Sequence, residues 1–160
     1  MSQENLKEEL SLLLKGKVLI VGIGNTLRSD DGFGPTLVNQ LKSRINAACL
    51  DVGPSPENFI GKIVRLNPDV ILFIDAVSMD SPPATVRLIS EDQVPVYGFS
   101  THNMSPKLMI DNIKSQINTK VALLGIEPSN LEFGEQLSEE INNKVDYLKN
   151  IFLELLKKEE

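Results

Sequence analysis

Apolar residues recur along the chain at two spacings, and the alternation between them outlines an α/β protein. Leu6, Leu10 and Leu13 fall on one helical face, so a short amphipathic helix over about residues 5–14 precedes the rest. Lys17–Ile23 is a compact apolar run and reads as the first strand. Gly34-Pro35 then opens a helix to about Ser43, with proline tolerated in the first turn. Ala47–Val52 makes a second strand, and Pro56-Glu57 starts a helix running to about Leu66. Asp69–Asp75 (DVILFID) stays apolar up to its last residue, as a strand covered on both faces does.

The turn-rich Asp80–Pro83 leads into a shorter strand, Ala84–Ile89. That connection is too short for a helical crossover, so this strand is expected to run antiparallel to its predecessor. Glu91–Met104 reads as a loop, Ser105-Pro106 begins a helix to about Gln116, and Lys120–Ile126 is the last strand. Leu137, Ile141, Val145, Leu148, Phe152 and Leu155 recur at helical spacing, which predicts a closing helix over about Glu135–Leu156. Strands alternating with helices indicate a three-layer α/β/α sandwich with a mostly parallel twisted central sheet and one antiparallel strand. No repeat or linker interrupts the pattern, so the expectation is one domain over residues 1–160, with residues 1–15 a helical extension.

At 160 residues the chain is large enough for a real core, and 41% hydrophobic with 24% charged residues is ordinary for a soluble globular protein. The net charge of −6 argues against a nucleic-acid or anionic-membrane partner, which would repel it. A single cysteine, Cys49, excludes an internal disulfide and fits a reducing cytoplasm, so a cytoplasmic location is expected. No apolar run approaches a membrane span, and Met1–Gly16 is too charged for a signal peptide.

Three loops carry unusual polar residues, each after a predicted strand or near its exit. The first is Gly22–Gly34 (GIGNTLRSDDGFG), where Asp30 and Asp31 sit between glycines that let the backbone turn tightly. The second holds Asp75, the abrupt charge at the end of VILFID. The third, Ser100–Pro106, contains His102, the chain's one histidine. In a parallel sheet Asp31 and Asp75 project from the same edge, where open α/β folds bind ligands. Two carboxylates and an imidazole suit a divalent cation such as nickel, zinc, iron or manganese, with coordination positions left open.

Each residue has a plainer role to set against this. Asp30 or Asp31 would serve to cap the helix that contains Phe33. Asp75 would serve as a turn former after its strand, and a lone histidine is often structural. Joint placement at one sheet edge tips the balance toward a site. The glycine loop lacks the third glycine of a dinucleotide fingerprint, and two aspartates would repel a pyrophosphate. No G-x-S-x-G elbow is present, and Cys49 lies inside an apolar strand, where an inert thiol is the better reading.

Six segments together carry a resemblance: Gly22–Asn25 with Ser29–Pro35, Gly53–Asn58, Val70–Ala76, Ser100–Met104, Leu124–Pro128 and Phe133–Ser138. In order and spacing they resemble the hydrogenase maturation endopeptidases, particularly the branch serving hydrogenase 3-type NiFe enzymes, over roughly residues 17–153. The resemblance implies a twisted sheet flanked by helices. It implies an aspartyl-type endopeptidase that removes a short C-terminal extension from the hydrogenase large-subunit precursor after nickel insertion. Asp31, Asp75 and His102 would contact the nickel, with Asp31 and Asp75 also catalytic. Gly24, Asn25, Asp30, Gly32, Thr101 and Asn103 would form the supporting loops. The nickel would arrive with the substrate, leaving the site empty at rest, and the enzyme would act as a monomer. Either the paired carboxylates or the nickel would activate the water. A nickel-sensing chaperone that does not cut, and a metal-dependent hydrolase of small molecules, are the competing readings.

Overall fold

The computed structural model describes residues 3–97 and 104–158. Five strands form one sheet in the order β2-β1-β3-β5-β4. They are β1 (Val18–Ile23), β2 (Ala48–Gly53), β3 (Val70–Ala76), β4 (Val86–Ser90) and β5 (Lys120–Ile126). The pairings β1–β2, β1–β3 and β3–β5 are parallel, and β4–β5 is antiparallel. The helices are α1 (Gln3–Leu13), α2 (Phe33–Leu41), α3 (Ile60–Leu66), α4 (Val94–Tyr97), α5 (Pro106–Lys114) and α6 (Glu139–Leu155).

Successive side chains of the central strands enter opposite cores. Val18, Ile20, Leu72, Ile74 and Leu124 meet α1, α2 and α6 through Leu10, Leu37, Val145 and Phe152. Leu19, Val21, Ile71, Phe73 and Leu123 meet α3 and α5 through Ile63, Met109, Ile110 and Ile113. Two helical layers around a sheet buried on both faces explain the unbroken apolar runs of β1 and β3. Helix α1 buries Leu6 and Leu10, and Leu14 just after it is buried too.

The shorter connection does turn β4 against the direction of β3, but the two do not pair. β5 lies between them, bonded to β3 on one side and β4 on the other. Burial accounts for the exchange. All of β5 after Lys120 is buried, whereas β4 buries only Ile89 fully, so β4 is fit for the edge. Other differences are local. A short 3-10 turn, Ser29–Gly32, precedes α2, and another, Pro56–Phe59, precedes α3. The segment read as a loop after Glu91 contains α4. Helix α6 starts at Glu139 rather than near Glu135, because the chain before it is bonded to the first loop instead of to its own next turn.

Candidate active site

Gly24 ends β1 by turning at φ +147°, a backbone conformation that a side chain resists. A Cβ there would overlap the Asp31 carbonyl oxygen, so the loop returns against its own start. The Gly24 N–H donates to Gly53 O at 2.9 Å, tying the exits of β1 and β2. Asn25 then works twice. Its N–H donates to Asp31 Oδ2 at 2.8 Å, and its Oδ1 accepts from the Leu27 N–H at 2.9 Å. Asp31 is half-buried, with one carboxylate oxygen fixed by this bond.

Asp75 is wholly buried, the sixth residue of β3 and in register with Gly125 of β5. The 3-10 turn bearing Asp31 packs against β3. Gly34 allows this approach, since a Cβ there would meet Ile74 O and lie 2.6 Å from Ile23 O. The structure therefore brings the Asp31 turn to the strand that carries Asp75. Neither aspartate of the turn caps α2, whose N-cap is Gly32 with no side-chain bond, and Asp75 lies within its strand instead of in a turn. His102, Thr101 and Asn103 lie outside the described residues. Among the described residues no three His, Cys, Asp or Glu side chains gather to hold a metal ion.

Asp30 has a different task. It is wholly buried and accepts the N–H groups of Ser129 (2.9 Å), Asn130 (2.9 Å) and Ser138 (2.7 Å), and the Ser138 hydroxyl (2.8 Å). Backbone bonds continue the seam: Ser29 N–H to Gly134 O at 2.7 Å, Gly134 N–H to Leu27 O at 2.8 Å and Asp30 N–H to Asn130 O at 3.0 Å. One carboxylate thus locks the segment after β5 onto the first loop.

Sequence reasoning assigned no role to Glu127, although it lies in a quoted segment. It is buried immediately after β5, and its Oε1 accepts the N–H groups of Met79 (2.7 Å) and Ser81 (3.0 Å). Those bonds hold the chain leaving β3 just beyond Asp75. A charged residue closing the apolar run VALLGI was the available signal, the same one that exposed Asp75. Cys49 stands early in β2, away from this edge, and burial pushes its thiol from 9.0 up to about 11 despite nearby Lys42. That favours the unreactive thiol.

The chain is similar to several known proteins. The family model for hydrogenase maturation protease, HycI, matches residues 35–155. The hydrogenase 3 maturation protease of Escherichia coli K12 is 32% identical over 131 residues, covering 80% of this chain and 83% of that protein. The crystal structure of a NiFe hydrogenase maturation protease, HycI, from Thermococcus kodakarensis superposes with a TM-score of 0.83 at 28% identity, covering 94% of this chain and 99% of the other. The solution structure of the endopeptidase HycI from Escherichia coli gives 0.73 at 31% identity, covering 84% and 88%. A matching family model over most of the chain, the fold and an E. coli relative above 30% identity converge: this chain belongs to the hydrogenase maturation proteases.

Proposed function

We propose that this endopeptidase processes the NiFe-hydrogenase large-subunit precursor at a site built from Asp31, Asp75 and His102, and that nickel carried by the precursor is what the site recognises. The observation that supports this most is Asp75, buried near the end of β3, with the Asp31 turn packed against the same strand. Two carboxylate ligands and one imidazole also suit nickel, whose remaining positions stay with the precursor.

Cleavage removes a short C-terminal extension. Water adds to the scissile carbonyl carbon, a carboxylate takes its proton, the C–N bond breaks and the amine leaves with that proton. Asp31 is half-exposed, as a base that meets the attacking water must be. A precursor without nickel gains none of the metal–ligand binding energy. Recognition through the metal thereby makes the irreversible cut depend on completed nickel insertion.

Intact-mass analysis of the precursor, incubated with the protein before and after nickel loading, tests the reading. Loss of a short C-terminal peptide from the loaded precursor alone is expected. Asp31→Asn and Asp75→Asn should each lower the rate at least 100-fold, the scale of a lost general base or ligand. Wild-type cutting with full activity in both variants would overturn the site. His102→Ala should lower cutting of the loaded precursor while far-UV circular dichroism stays unchanged.

A further inference from the structure

The loops beside the Asp31 turn hold apolar side chains out in water. Phe133 is 86% exposed, Leu27 45% and Leu131 44%. A scattered exposed leucine is ordinary, but an aromatic this exposed, with two leucines on adjoining backbone, is a mark of an interaction surface. The segments are not loose. Arg28 and Gly134 form a parallel bridge, whose register sets Leu27 alongside Phe133. Arg28 Nε donates to Leu131 O at 3.3 Å, and the Ser29 hydroxyl donates to Glu132 O at 2.8 Å. Buried Asp30 fastens both ends of the second segment, at Ser129-Asn130 and at Ser138. A surface fixed before association loses little conformational entropy on binding.

Charge limits what fits. Glu132 and Glu135 flank Phe133, both exposed, and Glu139-Glu140 follow at the start of α6. No lysine or arginine occurs between residues 127 and 140, and Arg28 is the single cation of the first loop. A second copy of this chain is a poor occupant, because a two-fold contact would bring acidic rim against acidic rim.

We propose that Leu27, Leu131 and Phe133 form the docking face for the folded body of the large-subunit precursor, gripping an apolar surface bordered by lysine or arginine. The inference rests on the reading that the Asp31 edge is the cutting site. The same hydrogen-bonded loops carry both, so a precursor seated here presents its C-terminal segment to Asp31. The face supplies affinity and register and takes no part in the chemistry.

Steady-state cleavage of nickel-loaded precursor by Phe133→Ser and Glu132→Lys tests it. Phe133→Ser should raise KM about 10-fold or more with kcat little changed, as loss of an aromatic anchor does. Its thermal midpoint should stay within about 1 °C, because so exposed a side chain adds little to folding. Phe133→Tyr should restore KM, and Glu132→Lys should raise it through repulsion. If the wild type does not cut, the site reading fails and takes this inference with it. If the wild type cuts and Phe133→Ser keeps KM within twofold, the docking face alone is refuted. A wild-type dimer that Phe133→Ser splits in sedimentation, with KM unchanged, would also refute it and make the patch a self-contact.

Discussion

Asp30 and Asp31 are neighbours in sequence, but a single 3-10 turn sends their carboxylates to different work. Asp31 keeps one oxygen on Asn25 N–H and stays half-exposed, while Asp30 is buried under three N–H groups and a hydroxyl. Asp30→Ala leaves those donors short of an acceptor and should cost roughly 2–4 kcal/mol, with a fall in thermal midpoint on the order of 10 °C. Asp30→Asn should cost somewhat less, because one oxygen survives while the new NH2 faces other donors. Thermal denaturation checks both, and an unchanged midpoint in both would show that the seam does not depend on this carboxylate. The paired aspartates and Asp75 were legible in the sequence because charge stood where an apolar run or glycine turn gave no packing reason for it. Asp30 was placed among the supporting residues, but what it binds was not legible. Asp30's partners lie 99–108 residues away, and no local pattern announces a contact that distant.

At the scale of elements, sequence periodicity was sufficient wherever one face of a segment had to be buried. It located β1, β3, β5 and both long amphipathic helices to within a few residues. It missed the 3-10 turn at Ser29–Gly32, whose length is below any periodic signal, and it left open which strand lies beside β4. Loop length determined the direction of β4, but the neighbour followed from the full burial of β5, a property of the assembled sheet. The approach of α2 to the sheet carries the site with it, and Gly34 makes that approach possible. Gly34→Ala should force the start of α2 away from Ile23 and Ile74, whose obstructing atoms are backbone and cannot swing aside. A destabilisation of about 1–3 kcal/mol is expected. Cutting should fall by more than the folded fraction does, because the Asp31 turn moves with the helix. Activity lost only in proportion to folding would show the turn to be held independently of α2.

Across the whole molecule, the edge proposed for the chemistry lies at the opposite end of the strands from the start of the sheet. Gly24, Asp31, Asp75 and Glu127 gather where the parallel strands end, whereas the Lys17 N–H binds Asp69 Oδ2 at 2.7 Å where β1 and β3 begin. Seven residues of β3 at about 3.3 Å each put those edges roughly 20 Å apart. Helix α1 packs against β4, and its Leu10 is wholly buried in the core shared with α2 and α6. Leu10→Ala removes a large buried side chain and should cost about 2–5 kcal/mol, lowering the thermal midpoint by roughly 5–15 °C. Close packing transmits such a defect over short distances, and the site is secured by its own hydrogen bonds through Asn25, Asp30 and Glu127. At 25 °C, kcat and KM per folded molecule should therefore stay within twofold of wild type. Asp31→Asn should show the opposite pattern, an almost unchanged midpoint with cutting lost. If Leu10→Ala instead raises KM or lowers kcat well below the folded fraction, α1 communicates with the cutting edge, and the helical extension is part of the working enzyme instead of an outer brace.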